Sequence, residues 1–283
     1  MPYGSASQRG RSQRTGIPVR LLIALAIALF SIISYYSSTD ENPITGDSQR
    51  VALTPEQEIV LGLQAAPEMA AQHGGLSPDP QARQHVDSIG TQLVRAVEQM
   101  TQVSHRENPF KFDFHLLADE QTVNAFALPG GQVFITEALY DRLETEGQLA
   151  GVLGHEVGHV LMRHGAQQLA KQKLTQGLVG AAGVAGGNRE SAQMAAAVAQ
   201  MVNMKYGRGH ELESDKWGVR LTAEAGYDPR SMIDVMRILE EASGGAGPPE
   251  IFSTHPKPAN RQAYIKEVIA EEFPRGVPDG LKP

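Results

Sequence analysis

The chain contains no cysteine at any of its 283 positions, and this absence excludes several classes of protein. Without a thiol there is no disulfide framework, no cysteine-based zinc finger, no thiol nucleophile and no lipidated cysteine anchor. A transition metal would need histidine, aspartate or glutamate ligands, and nine histidines are present. Aromatic residues are scarce at 6%, yet 41% hydrophobic residues are enough for a core and exclude a disordered or collagen-like chain.

Positive charge is concentrated at the N-terminus and is in deficit elsewhere. Arg9, Arg11, Arg14 and Arg20 give the first twenty residues four positive charges and no acid. The formal net charge of −7 for the chain therefore becomes −11 for residues 21–283. Such an acidic body argues against nucleic acid as a partner, because binding to phosphates needs a basic surface.

The basic stretch leads into an apolar run, residues 21–36, which carries no charge over sixteen positions. A membrane-spanning helix needs about 20 residues, a length reached here by including Arg20. Arginines before the run and acids after it predict a single-pass anchor over 17–36. The tail 1–16 is then cytoplasmic and the remaining chain extracytoplasmic, on the periplasmic side in a Gram-negative cell. A cleaved signal peptide followed by secretion is the alternative, although the exit sequence lacks an Ala-x-Ala cleavage site.

After the anchor, the pattern predicts a linker over 37–52, one folded domain over 53–273 and a C-terminal tail over 274–283. A first helix opens with Thr54 as N-cap and runs to about Gln72, with a kink at Pro67. A second helix begins at Asp79-Pro80 and has apolar residues at helical spacing, namely Val86, Ile89, Leu93, Val94 and Val97.

Strand periodicity follows. Phe110, Phe112 and Phe114 alternate with polar residues, and residues 124–136 indicate a hairpin that turns at Pro129-Gly130-Gly131. The expected fold class is α+β, mainly helical with a small antiparallel sheet, preceded by the N-terminal transmembrane helix.

Candidate chemistry begins with the segment HEVGH at 155–159. On a helix, His155 and His159 lie about one turn apart on the same face, so both imidazoles can reach one zinc ion while Glu156 holds its water. An apolar pattern without proline predicts such a helix from 145 to 170. The alternative is an ordinary amphipathic helix with exposed histidines. Two glycines argue against it, since each costs about 1 kcal/mol inside a helix and indicates close packing.

A catalytic zinc needs a third protein ligand and an open position for water. His164 follows His159 by five residues, which places it about 140° round a continuous helix and away from the metal. The metzincin spacing is also absent, because position 162 is Met and position 165 is Gly. His164 is therefore interpreted as a cation near the helix end that stabilises the last carbonyls.

A second candidate segment is HELESDKW at 210–217. Glu211 and Asp215 are i and i+4 on a predicted helix, which would let one carboxylate bind zinc while the other accepts the N–H of a ligand histidine. His210 is a neighbouring alternative ligand, and Glu213 points away from this face. A solvated acidic helix is the alternative interpretation, and it would be the favourite if this segment stood alone.

Together these motifs resemble the zinc metallopeptidase family M forty-eight, which contains HtpX, BepA and the CAAX prenyl endopeptidases. The resemblance is greatest to the periplasmic, single-anchor members and covers roughly residues 55–265. Each motif is modest alone, but their order along the chain is specific. The motifs are Gln57-Glu58, Leu61-Gly62, Asn124 to Gly131, HEVGH with Arg163-His164-Gly165, Arg208, Glu211, Asp215, Ala225 to Pro229, Thr254-His255-Pro256 and Arg261.

The resemblance implies a gluzincin-type domain that hydrolyses peptide bonds. One Zn²⁺ per chain would be held by His155, His159 and Glu211, with Glu156 as catalytic base and Asp215 behind a ligand histidine. Polypeptide substrates are expected, among them unfolded or damaged envelope proteins. A chaperone-like quality-control module that keeps zinc without proteolysis is the alternative. The intact Glu156 favours an enzyme, because a structural site has no use for a carboxylate beside the water.

Two further roles follow from the resemblance alone. The substrate backbone would bind along an edge strand formed by Asn124, Ala125, Phe126, Ala127 and Leu128. His255 would approach the zinc, either as a brake that occupies the open position or as a hydrogen-bond donor to the transition state. Arg208 and Arg261 are expected to be structural or electrostatic, since a guanidinium cannot bind a cation.

The gap between the two candidate ligand segments is rich in small apolar residues. A second membrane segment is not expected here, because residues 174–187 supply about fourteen of the roughly 20 residues needed. Two interpretations of residues 177–204 stay open: a mobile flap over the cleft, or a surface for an oligomer.

Overall fold

The structure is a computed structural model, and it describes residues 18–186, 206–242, 251–255 and 260–283. The helices in these ranges are α1 (Val19–Ser37), α2 (Pro55–Gln72), α3 (Pro80–Val103), α4 (Glu137–Tyr140), α5 (Glu146–Leu161), α6 (His164–Gly186), α7 (Arg208–Glu224), α8 (Ser231–Ala242), α9 (Ile251–Thr254) and α10 (Arg261–Glu272). The strands are β1 (Thr39–Glu41), β2 (Ser48–Arg50), β3 (Asp113–Leu117), β4 (Ala125–Ala127) and β5 (Gln132–Thr136). The predicted basic tail and most of the segment 177–204 lie outside the described residues.

Helix α1 is the apolar N-terminal helix, and its 19 residues are long and apolar enough to cross a membrane. Only Ala24 is buried within the helix, so the other described residues leave most of its apolar surface uncovered. It packs along α6, where Gly177 meets the side chain of Ser31. The helix fits a membrane anchor and begins within two residues of the predicted start.

The segment predicted as a linker forms an antiparallel hairpin of β1 and β2. Asn42 fixes its turn, because the side-chain oxygen accepts from the backbone N–H groups of Ile44 and Thr45. The amide of the same side chain donates to the carbonyl of Leu161 at 2.9 Å. The chain that leaves the anchor is therefore docked against the C-terminal end of α5.

Helix α2 has the predicted bounds, and α3 begins where it was predicted to begin. Thr54 and Gln57 form a capping box at the start of α2, which ends at Gln72 and contains Pro67. Asp79 caps α3 by accepting from the backbone N–H groups of its first turn. Four of the predicted apolar positions of α3, namely Val86, Ile89, Leu93 and Val97, are buried in the core.

The sheet of the domain has the order β3-β5-β4, with β5 in the centre. β4 and β5 form the predicted antiparallel hairpin, whose turn uses Gly130 and Gly131 at φ of 86° and 120°. β3 pairs parallel to β5, so the predicted fold class is confirmed but the sheet is mixed instead of wholly antiparallel. The reason is the connection, because the chain crosses from β3 to the far edge before it returns through β5. β3 begins at Asp113, so Phe110 and Phe112 precede the strand and pack on the core.

Helix α5 carries HEVGH and is buried along nearly its whole length. It lies directly on α7, with Gly154 against Gly218 and Gly158 against the backbone of Ser214. A side chain on Gly158 would press on that backbone, since an added Cβ would lie 3.1 Å from the Ser214 carbonyl oxygen. The glycines thus mark close helix packing, as predicted, and this packing sets the distance between the two ligand segments.

The prediction of one continuous helix from 145 to 170 is wrong. Helix α5 ends at Leu161, and α6 starts at His164 after a break in which Arg163 has φ of 56°. That conformation is unfavourable for a residue with a side chain, so it needs compensation from tertiary contacts. Arg163 is fully buried and donates to Glu58 at 2.8 Å, to Asp40 at 2.8 Å and to the Leu53 carbonyl at 2.6 Å.

The residues predicted as a C-terminal tail lie against the domain. The backbone of Lys282 bonds to Gly226 and Asp228, and the N–H of Gly147 donates to the Pro283 carbonyl at 2.9 Å. The C-terminal residues therefore contact the first turn of α5.

Candidate active site

Four buried side chains converge at the centre of the domain, and three of them are the predicted metal ligands. His155 and His159 come from α5, Glu211 from the first turn of α7, and His255 from the residue after α9. One ligand atom from each residue lies within 4.8 Å of the others. The structure thus joins two segments that are more than fifty residues apart in sequence.

The distances fit a tetrahedral zinc ion. The Nε2 atoms of His155 and His159 are 3.1 Å apart, and the two oxygens of Glu211 lie 3.7 Å and 3.6 Å from these nitrogens. Ligand atoms on a tetrahedral zinc with bonds of about 2.0 to 2.1 Å are separated by about 3.3 Å. Among the described residues, His255 Nε2 is buried without a hydrogen-bond partner, and Glu211 Oε2 has an ion-pair contact with Arg261 at 3.3 Å but no hydrogen bond, so both atoms are available to a metal.

Asp215 lies behind His155, one helical turn after Glu211. Its Oδ1 is 3.0 Å from His155 Nδ1, and Arg261 donates to the same carboxylate from Nε at 2.9 Å. Burial alone would raise the pKa of Asp215, but Arg261 and His155 outweigh burial and lower it. The ionised carboxylate can accept the Nδ1–H of His155, which leaves Nε2 free to face the metal. Arg261 also lies 3.3 Å from Glu211, in the electrostatic position expected for it.

His164 lies behind His159, and its predicted position is wrong. The break at Arg163 turns the His164 ring back under α5, where its Nδ1 is 3.0 Å from His159 Nδ1. Its Nε2 is 3.0 Å from Glu213, which was expected to point away from this face. Burial lowers the pKa of His164 although Glu213 opposes the shift, so the ring is a neutral partner and not a helix-end cation.

His210 and Tyr206 complete the surroundings of this side. His210, the alternative ligand, stacks on His164 with ring centroids 4.2 Å apart and is not one of the four grouped residues. The ring of Tyr206 lies 4.2 Å from that of His159. Burial raises the pKa of Tyr206, so its phenol is protonated. Sequence reasoning missed this residue, because a single tyrosine outside any motif gives no signal.

Glu156 and His255 face each other at the open side of the group. Glu156 is 2% exposed, and its Oε1 lies 3.7 Å from His255 Nε2. The other ring nitrogen of His255 is 3.2 Å from Glu211. Burial opposes a charge on His255, but the carboxylates of Glu156 and Glu211 outweigh burial and raise its pKa.

The candidate substrate strand lies beside α5. β4 covers Ala125, Phe126 and Ala127, while Asn124 and Leu128 flank it. It is an edge strand, and within the described residues no strand pairs with its outer side. A small pocket lies between its C-terminal end and the side chains of His159 and Tyr206.

An apolar pocket that sequence reasoning missed opens beside Glu156 and His255. It is walled by residues from α5, α8 and α9, namely Val152, Met232, Val235, Met236, Leu239 and Ile251. The methionines and aliphatic residues of α8 carry the ordinary signal of a core-facing helix, which hides their position at the site.

A buried HEVGH helix, a buried glutamate from a second helix that could bind the same metal, and an adjacent edge strand are typical of a metallopeptidase domain. The family model described as Peptidase family M48 matches residues 88–269, and the chain belongs to this family. The family and the mainly helical fold implied by the motifs are thereby confirmed.

Individual relatives agree with this assignment. The chain is similar to the beta-barrel assembly-enhancing protease of Escherichia coli, with 32% identity over 86% of this chain and 50% of the relative. The putative beta-barrel assembly-enhancing protease of Vibrio cholerae is 29% identical over 91% of this chain and 53% of the relative. The human mitochondrial metalloendopeptidase OMA1 is 27% identical over 89% of this chain and 50% of the relative. The chain thus spans about half the length of the curated relatives it matches.

Proposed function

We propose that this protein is a zinc-dependent endopeptidase whose metal ligands are His155, His159 and Glu211. The observation that carries the proposal is the convergence of these three buried side chains around one point, with the carboxylate of Glu156 beside them. A purely structural zinc site has a closed set of ligands and needs no neighbouring base. The presence of Glu156 therefore favours hydrolysis over the zinc-containing, non-proteolytic alternative.

A zinc ion held here would lower the pKa of water towards about 7 and polarise the scissile carbonyl. Glu156 would take the proton from the attacking water and return it to the leaving amine, because a carboxylate beside the ligand side chains can serve both transfers in turn. The Asp215 carboxylate keeps the proton of His155 on Nδ1, so that Nε2 faces the metal throughout.

The substrate is proposed to be an extended polypeptide that adds to the outer edge of β4. Backbone hydrogen bonds along a strand accept many sequences, which suits unfolded or damaged envelope proteins. The names of the bacterial relatives refer to β-barrel assembly and support this class of substrate. The N-terminal helix would hold the domain at a membrane, and the basic residues before it favour the extracytoplasmic side.

His255 is proposed to act as a brake in the resting enzyme. Its side chain lies among the ligand atoms, and its Nδ1 is 3.2 Å from Glu211. A fourth protein ligand would exclude the catalytic water, so activity would require movement of the residues after α9. His255→Ala should then raise peptide hydrolysis or cause self-cleavage. If His255 instead donates a hydrogen bond to the transition state, turnover should fall by about 10² with zinc retained, which would contradict the brake.

The proposed function is tested by zinc content and casein cleavage of the purified full-length chain. We expect one zinc per chain and cleavage that falls by at least about 10² in Glu156→Gln, because the amide keeps the size but cannot take a proton. Zinc content should stay at the wild-type value. Glu98→Gln on the exposed side of α3 makes the same chemical change away from the site and should leave cleavage unchanged. Full activity in Glu156→Gln would contradict the assignment.

A further inference from the structure

The two histidines of HEVGH have different partners behind them, and one of these partners has no assigned role. An imidazole that binds metal through Nε2 needs its Nδ1 proton held by an acceptor, which fixes the tautomer and the ring orientation. For His155 this acceptor is Asp215 at 3.0 Å. The Nδ1 of His159 instead lies 3.0 Å from the Nδ1 of His164, and no carboxylate is hydrogen-bonded to this His159 nitrogen within the described residues.

The position of His164 depends on the break between α5 and α6. In a continuous helix the side chain would point about 140° away from His159. The left-handed conformation of Arg163, held by its buried contacts with Glu58 and the Leu53 carbonyl, redirects the chain. His164 becomes fully buried as the first residue of α6 and faces the back of His159.

The surroundings fix the orientation of the His164 ring. His210 stacks on its face with planes 19° apart. The far nitrogen, Nε2, lies 3.0 Å from Glu213, whose side chain is 44% exposed. A carboxylate can only accept, so His164 carries its proton on Nε2 and presents a lone pair on Nδ1. The Ser214 hydroxyl lies at 3.3 Å from the same Nδ1 and is the longer of its two contacts.

We propose that His164 is a positioning residue for the metal ligand His159. Its Nδ1 accepts the Nδ1–H of His159, and its own Nε2–H donates to Glu213, so a chain of two hydrogen bonds fixes the tautomer in which His159 Nε2 binds zinc. This role rests on the proposed function, since it gives His159 the task of a ligand. It assigns Glu213 as the residue that sets the tautomer of His164.

The proposal is tested by zinc affinity in His164→Ala and His164→Asn, measured by competition with a chromophoric chelator. Loss of a residue that orients a metal-binding histidine costs about 10- to 100-fold in metal affinity, and we expect His164→Ala to fall in this range. The Asn side-chain oxygen lies near the position of Nδ1, so His164→Asn should recover most of the affinity. Equal losses in the two variants would overturn the proposal, because they would mean that only the volume of the ring matters.

A second measurement does not depend on activity or on bound metal. The ¹⁵N chemical shifts of His159 in the metal-free full-length protein report which nitrogen carries the proton. We expect the Nδ1–H form in wild type, a mixture of tautomers in His164→Ala, and a partial shift in Glu213→Gln, a change at an exposed position that preserves folding. Unchanged shifts in both variants would overturn the proposal. Wild-type protein that binds zinc and cleaves nothing would refute the proposed function while leaving these tautomer results valid.

Discussion

His155 and His159 are each held from behind by another side chain, but the two supporting side chains differ in charge. His155 is backed by an ionised Asp215, which a buried Arg261 neutralises. His159 is backed by a neutral His164, which is hydrogen-bonded to the partly exposed Glu213. The difference follows from geometry, since α7 places Asp215 one turn beyond Glu211 and level with His155, while His159 lies next to the break after α5. The supporting residue of each histidine is therefore determined by the element that packs against it.

The nature of the two supporting residues also affects the total buried charge of the site. Glu211 and Glu156 already bring two carboxylates to the centre, and a second buried aspartate behind His159 would need its own arginine. A neutral imidazole supplies an acceptor without a new buried charge. The negative end of this hydrogen-bond chain is placed at Glu213, where solvent can screen it.

Asp215 should contribute more to zinc affinity than His164. We expect Asp215→Asn to lower zinc affinity close to 100-fold, because a charge-assisted hydrogen bond raises the basicity of the ligand more than a neutral one does. His164→Ala should cost nearer 10-fold, measured by the same chelator competition. Arg261 keeps a partner in Asp215→Asn through Glu211, so the variant should stay folded.

A double variant tests whether Asp215 and His164 act independently. Asp215→Asn with His164→Ala should show nearly additive losses in binding free energy, because the two residues support different ligands. A smaller loss from Asp215→Asn than from His164→Ala would reverse the ranking and contradict the comparison of charged and neutral support.

The residue that supports His155 could be predicted from the sequence, and the residue that supports His159 could not. The i, i+4 pair of Glu211 and Asp215 predicts both residues as soon as a helix is assumed, and the structure brings them to His155. His164 was misplaced because the sequence at 161–164 contains neither glycine nor proline to indicate a break. The break is held by Asp40 and Glu58, which lie more than a hundred residues earlier. Such tertiary compensation cannot be read from local pattern.

The fold shows the same division between local and long-range information. Caps at Thr54 and Asp79 and the glycine turn at 130–131 were predictable, because each is a local signal with a direct structural cause. The parallel pairing of β3 with β5 was not, since it depends on how strands meet after a crossover. The apolar pocket beside Glu156 was also hidden, because its walls come from three helices.

A variant at Glu58 tests the break that positions His164. Burial raises the pKa of Glu58 to about 7 against the opposing influence of Arg163. A carboxyl group whose pKa is raised on folding favours the folded state at low pH, and this contribution disappears as the pH rises from about 4.5 to 7. Glu58→Gln should remove that part of the pH dependence, at most about 3 kcal/mol, in urea unfolding of the metal-free protein.

The window and the sign distinguish this contribution from that of Asp215. Asp215, with a lowered pKa, stabilises the fold above its unfolded pKa and loses that contribution only as the pH falls. If Glu58→Gln leaves the slope between pH 4.5 and 7 unchanged, then the Glu58–Arg163 pair does not titrate as described.

X-ray absorption at the zinc K-edge of the purified, full-length resting protein tests the central claim most directly. We expect one zinc per chain in a four-coordinate shell, with nitrogen scattering from the imidazoles of His155, His159 and His255 and oxygen from Glu211 at about 2.0 to 2.1 Å. His255→Ala should replace one imidazole in this shell by a water oxygen. A protein without bound zinc, or a zinc shell without imidazole, would contradict the account.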